Sequence, residues 1–339
     1  MASVLVTGGT GFIAGHVIED ALRSGHRVRA TVRSLRDPSR VAHLERLGSD
    51  HDGRLELVEA DLTDDAGWDA AVAGIEHVLH VASPFPTTAP RDEAELIRPA
   101  VDGTLRVLGA ASRAGARRVV MTSSIAAVSS GRPREEVRTR TEADWSDLDH
   151  SAAYAKSKTL AEQAAWRFAD DHPELEVVAI NPGLVLGPLH HAAAGTSLTL
   201  VRRLLNREVP AVPALGFATV DVRDVAIAHR LAMETPGAAG QRYICAGANL
   251  WLADMAEVLA DEFGPLGFRV PRRRMPYWML WLAGRFDPEV RLALNFVGSP
   301  ERVSSDKARD ELGWSARPVR ETLADTGRSL IDHGLAKVR

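Results

Sequence analysis

Residues 4–16 read VLVTGGTGFIAGH, an apolar β-run that passes through a glycine-rich turn into the opening of a helical pattern. Gly8, Gly11 and Ala14 are the small residues of that turn, in the spacing G-x-x-G-x-x-A rather than G-x-G-x-x-G. Small residues let the main chain bend sharply and approach a pyrophosphate, while the helix N-terminus offers unpaired N–H groups and a partial positive charge. A strand directly before and a helix directly after are the context in which such glycines hold a dinucleotide instead of merely making a turn.

Outward from this stretch, short apolar runs alternate with longer stretches of helical periodicity through the first 180 residues. This is the pattern of a parallel sheet wrapped by helices. Strands are predicted at Val4–Thr7, Arg27–Val32, Leu55–Ala60, His77–Ala82, Arg118–Ser123 and Glu176–Ile180, and helices at Phe12–Ser24, Glu93–Ala114 and Ala152–Asp170. Six strands with right-handed crossovers make a Rossmann-type doubly wound α/β sheet. Beyond Pro182 the regularity breaks at Gly183, Gly187, Pro188, Gly195, Pro210 and Pro213. Helices are predicted again at Ser197–Asn206, Val222–Glu234, Leu252–Phe263 and Pro318–His333, with Tyr243–Ala246 as a returning strand. The expected organisation is a dinucleotide-binding domain over residues 1–183 plus about 218–246, and a smaller, mostly helical C-terminal substrate lobe over 184–217 and 247–339. The cleft between them is the default ligand site.

Composition narrows the function. Of the 339 residues 45% are hydrophobic and 25% charged, with both signs mixed and a net charge of -4, so there is no electrostatic footprint for nucleic acid or an anionic membrane. The single cysteine, Cys245, rules out an internal disulfide and a cysteine-based metal cluster, and reads as a small core residue. A strand starting at Val4 leaves no room for a secretory leader, and a cytoplasmic protein, monomer or homodimer, is expected. The most apolar stretch, Met275 to Gly284, is about ten residues against the ~20 needed to cross a bilayer. As a helix it can cap a core, line an apolar pocket or touch a membrane surface; Arg272, Arg273 and Arg274 before it read as a solvated run.

Chemistry is carried by a few positions. Tyr154 and Lys158 in SAAYAKSKTLAEQAAW are one helical turn apart and project from one face, about 5 to 6 Å apart at Cβ. At ~5 Å and an effective dielectric of ~20, an ammonium favours the phenolate by roughly 3 kcal/mol, about two pKa units. That moves a tyrosine toward acid/base work near neutral pH. Arg33 ends the second strand, where an NAD enzyme usually holds Asp or Glu for the ribose 2′-hydroxyl; a guanidinium suits a 2′-phosphate, which indicates NADP(H). Arg36 and Arg40 are further cations that add charge there or are simply solvated. Asp61, after the third strand, can accept from an adenine amino group or cap a helix. Ser124 lies at the carboxyl edge of the sheet with Ser123 as its neighbour, and since strand side chains alternate faces only one of the two should reach the cleft. No G-x-S-x-G elbow surrounds them, which disfavours a serine hydrolase. His190 and His191 lack a carboxylate or cysteine at ligand spacing, so no metal is expected.

Taken in order, VLVTGGTGFIAGH, VLHVASPF, PAVDGTLRVL, RRVVMTSSIAAV, YAKSK, NPGLVLGP, VDVRDVAIAH and RYICAG resemble the extended short-chain dehydrogenase/reductases of the dihydroflavonol 4-reductase and cinnamoyl-CoA reductase type, a group that includes microbial NADPH-dependent aldehyde and ketone reductases. The resemblance covers almost the whole chain. It implies a catalytic triad of Ser124, Tyr154 and Lys158, with Arg33 on the NADP phosphate and Asp61 on the adenine. It further implies a cofactor surface of Gly8, Thr10, Gly11, Phe12, Ile13, Leu62, Ala82, Ser83, Thr122, Pro182 and Val185, the last two near the nicotinamide. The chain departs from the cinnamoyl-CoA reductases, whose catalytic motif is rich in Trp and Tyr, and lacks evident polar residues for gripping flavonoid hydroxyls. Phe85, Ile125, Leu184 and Leu200 are the candidate pocket residues, all apolar. The expected activity is NADPH-dependent reduction of aldehydes or ketones with apolar or aromatic substituents. A 3β-hydroxysteroid dehydrogenase, an NAD-dependent sugar-nucleotide epimerase/dehydratase and a non-catalytic NADP-sensing module are the competing readings.

Overall fold

The computed structural model describes residues 1–83, 92–132, 136, 138–192, 195–286 and 302–338. The chain runs β1 (Ser3–Val6), α1 (Phe12–Arg23), β2 (Arg27–Val32), α2 (Pro38–Asp50), β3 (Leu55–Glu59), α3 (Trp68–Val72), β4 (His77–His80), α4 (Ala94–Arg113), β5 (Arg118–Thr122), α5 (Ala153–Asp171) and β6 (Glu176–Pro182). There follow β7 (Leu184–Leu186), α6 (Thr199–Leu205), β8 (Gly216–Asp221), α7 (Val222–Glu234), β9 (Arg242–Cys245), β10 (Asn249–Trp251), α8 (Leu252–Phe263) and α9 (Tyr277–Ala283). The last two described helices are α10 (Asp306–Leu312) and α11 (Val319–Asp332).

The main sheet is all parallel, in the order β3-β2-β1-β4-β5-β6-β9. Its order reverses beside β1, so a crevice opens above the carboxyl ends of β1 and β4, the place where open α/β sheets bind ligands. Helices cover both faces, and β4 and β5 are buried along their whole length, which is why they read as continuous apolar runs without alternation. One core, with Ile18, Leu22, Leu44, Val225 and Tyr243, lies under α1, α2 and α7. The opposite face carries Trp68, Leu108, Val119 and Ala165 under α3, α4 and α5. This is a Rossmann-type fold.

Among the described residues the sheet has seven strands, one more than the six read from the first 180 residues. The extra one is β9, the returning strand, which joins the edge beside β6 with Ala179 opposite Arg242. The later part, expected to be mostly helical, also holds a small sheet. β7, β8 and β10 form a second sheet in the order β10-β8-β7, packed with α6, α8 and α11 around Leu198, Val201, Leu259, Phe263 and Leu323. Gly183 is the hinge between the sheets: a Cβ there would lie 2.1 Å from the carbonyl oxygen of Ala218, so only glycine lets β8 approach. Helix α7 starts where the side chain of Asp221 accepts from Arg223 N at 2.9 Å. Arg223 also reaches Asp325 at 2.7 Å, and Arg317 reaches Asp224 at 2.8 Å, pinning α11 and the approach to it onto α7.

Cys245 is fully buried, and burial pushes its thiol far above the usual range. In α9, Leu280 is buried while Trp278 and Trp281 are exposed, and among the described residues no helix is long and apolar enough to cross a membrane.

Candidate active site

The glycine turn is built almost wholly from main chain. Gly11 N donates to Gly8 O at 2.8 Å, Gly9 N to Thr31 O at 2.7 Å and Gly8 N to Thr31 Oγ1 at 2.9 Å. Gly8 sits at φ +72°, and a Cβ on it would lie 2.9 Å from Cβ of Ala82, so the turn is shaped by what is missing. Gly11 caps α1 with no side chain folded over its first N–H groups and no acidic residue in the first turn, which leaves the helix end able to take an anion. Thr7 ties this turn to β4: its hydroxyl accepts from Ala82 N at 2.9 Å and lies 2.9 Å from Nδ1 of His80. Burial, aided by the Lys158 charge, pushes His80 down to about 3, so its ring is neutral.

The second half of the site stands at the ends of β5 and β6. Lys158, on α5, is buried and donates from Nζ to Thr122 O at 3.2 Å. Burial lowers its pKa to about 8, with the Glu162 charge opposing the shift. Tyr154, half-buried, stands one turn earlier on the same helix, and its carbonyl accepts from Ser157 Oγ at 2.7 Å. Ser124 closes β5 in extended conformation, its Oγ accepting from Ala126 N at 3.1 Å while its proton remains for donation. The neighbouring serine is turned the other way, with Ser123 Oγ donating to Glu162 Oε2 at 2.5 Å. The two hydroxyls thus take different partners, the main chain of Ala126 for Ser124 and the carboxylate of Glu162 for Ser123.

His80, Ala82, Ser83, Thr122, Ser123 and Lys158 line one cleft, which brings four of the sequence-derived cofactor positions together. Thr122 takes part through its carbonyl, because its hydroxyl is 2.7 Å from Nε2 of His229. That ring donates from Nδ1 to Val225 O at 2.8 Å, so the threonine is the donor. Arg33 is exposed beyond the end of β2. Asp61 accepts from Thr63 N and Oγ1, both at 2.8 Å, in a local turn; it does not cap a helix, since α3 begins at Trp68 with Gly67 as its cap. The bond from Thr63 N is the main cause that holds its carboxyl below the usual range; the Arg33 charge adds to it. The carbonyl of Leu62 accepts from Arg106, and Phe12 and Ile13 pack against the first core. Thr10 O faces His191 Nε2 at 3.1 Å. Val185 is buried in β7 next to Leu184, and Leu184 and Leu200 are half-buried against the second core. Ile125 is buried in a small cluster with Val128, Ala218 and Ile244. Phe85 lies outside the described residues.

Sequence reasoning passed over a buried network behind Lys158. Glu162, four residues on and fully buried, accepts from Ser123, from Asn181 Nδ2 at 2.9 Å and from Arg242 Nε at 2.5 Å. Arg242 also donates to the carbonyls of Glu142 and Asp144 and stacks 3.8 Å above Trp145. The signal was present in YAKSKTLAE, where Tyr154, Lys158 and Glu162 follow at i, i+4 and i+8 on one helix face. The missed histidine contacts are tertiary: His190 stands beside His16 and Glu19, the carboxylate that its sequence neighbours lack.

A glycine turn at the switch point of a parallel sheet, with a tyrosine and a buried lysine above β5, defines a dinucleotide-binding oxidoreductase site. Residues 4–246 match the model of the NAD dependent epimerase/dehydratase family, and the chain belongs to it, within the extended short-chain dehydrogenase/reductases. Cinnamoyl-CoA reductase CAD2 of Medicago truncatula is 41% identical over 244 residues, 70% of this chain and 74% of its own. Cinnamoyl-CoA reductase 1 of Petunia hybrida is 36% identical over 335 residues, covering 98% of this chain and 92% of its own. Among solved structures, yeast methylglyoxal/isovaleraldehyde reductase Gre2 complexed with NADPH superposes with a TM-score of 0.81 at 28% identity, over 98% of this chain and 99% of that one.

Proposed function

We propose that the protein is an NADPH-dependent carbonyl reductase that converts aldehydes or ketones with apolar or aromatic substituents to alcohols. The observation that carries this reading is Lys158, a cation buried at the end of β5 with Tyr154 one helical turn away and Ser124 on the adjoining strand end. The cofactor fits the residues present. The positive-φ Gly8 leaves the space that a side chain would fill against Ala82, the α1 N-terminus faces out uncapped, and Arg33 is exposed where a 2′-phosphate would lie. Asp61 and Leu62 then serve the adenine side, Ala82, Ser83 and Thr122 the middle, and Pro182 and Val185 the nicotinamide end. Residues 1–183 with about 218–246 form the cofactor domain, and 184–217 with 247–339 the substrate lobe. The relatives named as reductases support the same reading.

When bound, the nicotinamide supplies hydride for the carbonyl carbon. Ser124, held by its bond from Ala126 N, donates to the carbonyl oxygen and polarises it. Tyr154 gives its proton to the same oxygen. Lys158 stabilises the phenolate left on Tyr154, and the carbonyl of Thr122 holds the ammonium in place. Leu184 and Leu200 offer apolar contact to the substrate's substituent, with Ile125 backing the serine turn from the core.

The test is NADPH oxidation across aromatic and aliphatic aldehydes, β-ketoesters and a hydroxycinnamoyl-CoA thioester. Turnover of the carbonyls with NADPH preferred over NADH is the expected result. Tight NADPH binding with no turnover of any of them, or turnover of the thioester alone, would overturn the proposal.

A further inference from the structure

Away from the reaction corner, three groups able to ligate a metal converge where α1 meets the loop after β7. His16 and Glu19 are on α1 at i and i+3 and share one face of the helix. His190 arrives from the loop that follows Pro188. Oε2 of Glu19 lies 3.4 Å from Nε2 of His190 and 3.9 Å from Nδ1 of His16, and the three ligand atoms fall within 4.8 Å of one another. The two imidazoles lie against each other, with centroids 4.0 Å apart and planes tilted by 37°.

The hydrogen bonding leaves the right atoms over. His16 Nε2 is 2.9 Å from the carbonyl oxygen of Pro188, and a carbonyl only accepts, so Nε2 carries the hydrogen and Nδ1 keeps its lone pair. Metal-binding imidazoles are oriented in this way, with one nitrogen on the ion and the other donating to a backbone carbonyl. Nε2 of His190 is buried and makes no hydrogen bond; the Glu19 oxygen beside it lies outside hydrogen-bonding geometry. A nitrogen in that state costs stability unless something else binds it. The other oxygen of Glu19 is held by Arg23 at 2.6 Å, which fixes the carboxylate with Oε2 toward the histidines.

We propose that Nδ1 of His16, Nε2 of His190 and Oε2 of Glu19 form a site for one divalent ion of the zinc class, which fastens α1 to the loop after β7. Zinc bonds of about 2.0–2.2 Å in tetrahedral geometry set neighbouring ligand atoms about 3.3–3.5 Å apart. With Glu19 Oε2 at 3.4 and 3.9 Å from the two imidazoles and all three ligand atoms within 4.8 Å of one another, the side chains of Glu19 and His190, which solvent reaches, must draw together as the ion binds. Two imidazoles and a carboxylate select zinc, cobalt, nickel or copper over magnesium and calcium. Water completes the coordination. The ion takes no part in carbonyl reduction; it fixes the segment behind Val185 against the helix whose N-terminus faces the dinucleotide.

The full chain, freed of affinity tag and treated with chelator, is titrated with Zn²⁺ by calorimetry and with Co²⁺ by visible absorption. One ion per chain, cobalt bands of a nitrogen/oxygen site and a thermal midpoint raised by Zn²⁺ but not Mg²⁺ are expected. Glu19→Gln and His190→Ala, each checked for native circular dichroism, should weaken Zn²⁺ binding at least about tenfold, whereas His191→Ala should keep it. No binding to the parent chain, or binding that Glu19→Gln and His190→Ala leave undiminished, would overturn the site and mark a packed histidine cluster only.

Discussion

Between Gly8 and Gly11 the chain closes largely on its own main chain, with the hydroxyl of Thr31 and the ring of His191 as its side-chain partners. Above β5 the reverse holds: Ser123, Asn181 and Arg242 bond through their side chains to Glu162, next to Lys158, whose ammonium rests on the carbonyl of Thr122. The first region works by the absence of atoms, so it is sensitive to size. The second works by the identity of atoms, so it is sensitive to chemistry at constant size. Binding and turnover should therefore separate when each is mutated.

Tyr154→Phe is the largest expected break. Loss of the proton donor should lower kcat by about 10²–10⁴-fold, while fluorescence titration finds NADPH affinity almost unchanged. An equal loss of both would end the distinction. Gly8→Val acts on the other side: a branched side chain at φ +72° facing Ala82 brings about 1–3 kcal/mol of strain, so NADPH affinity should fall by about 10–100-fold with kcat at saturation less affected.

Glu162→Gln tests the network without changing its volume. The Glu162 charge raises the Lys158 pKa against burial, so its removal should lower that pKa further below about 8. Because the ammonium is present below its pKa and lost above it, the alkaline limb of kcat/KM should move to lower pH. The thermal midpoint should also fall, since Arg242 keeps its burial but loses its counter-charge. Arg33→Ala is the mildest change: the exposed guanidinium should give up about tenfold of the preference for NADPH over NADH, read from the two KM values.

Much of the frame was legible from the chain alone because single residues punctuate it. β2, α7 and α8 lie where the sequence reading placed them, helped by the β-branched run in β2 and by Asp221 as the cap of α7. Strands β7 and β10 have three residues each, too few to show a period of two, and β8 sits in a segment whose prolines read as irregular. The seventh strand of the main sheet was visible as a strand but not as a neighbour of β6, since pairing is a property of the folded chain. The site divides in the same way. Tyr154, Lys158 and Ser124 announce themselves by spacing and by position at a strand end, whereas Glu162 looks like one more surface acid on a helix until Arg242 arrives. The His16, Glu19 and His190 cluster joins segments that no local pattern links.

Arg242 opens the final strand of the main sheet, 80 residues after the carboxylate it neutralises. During synthesis α5 and its lysine therefore emerge long before that partner does, and a nascent chain ending anywhere short of β9 must hold Glu162 without its guanidinium. The surroundings of Lys158 are thus complete only once the edge strand is made and docked, so newly made protein should gain its secondary structure before it gains its activity.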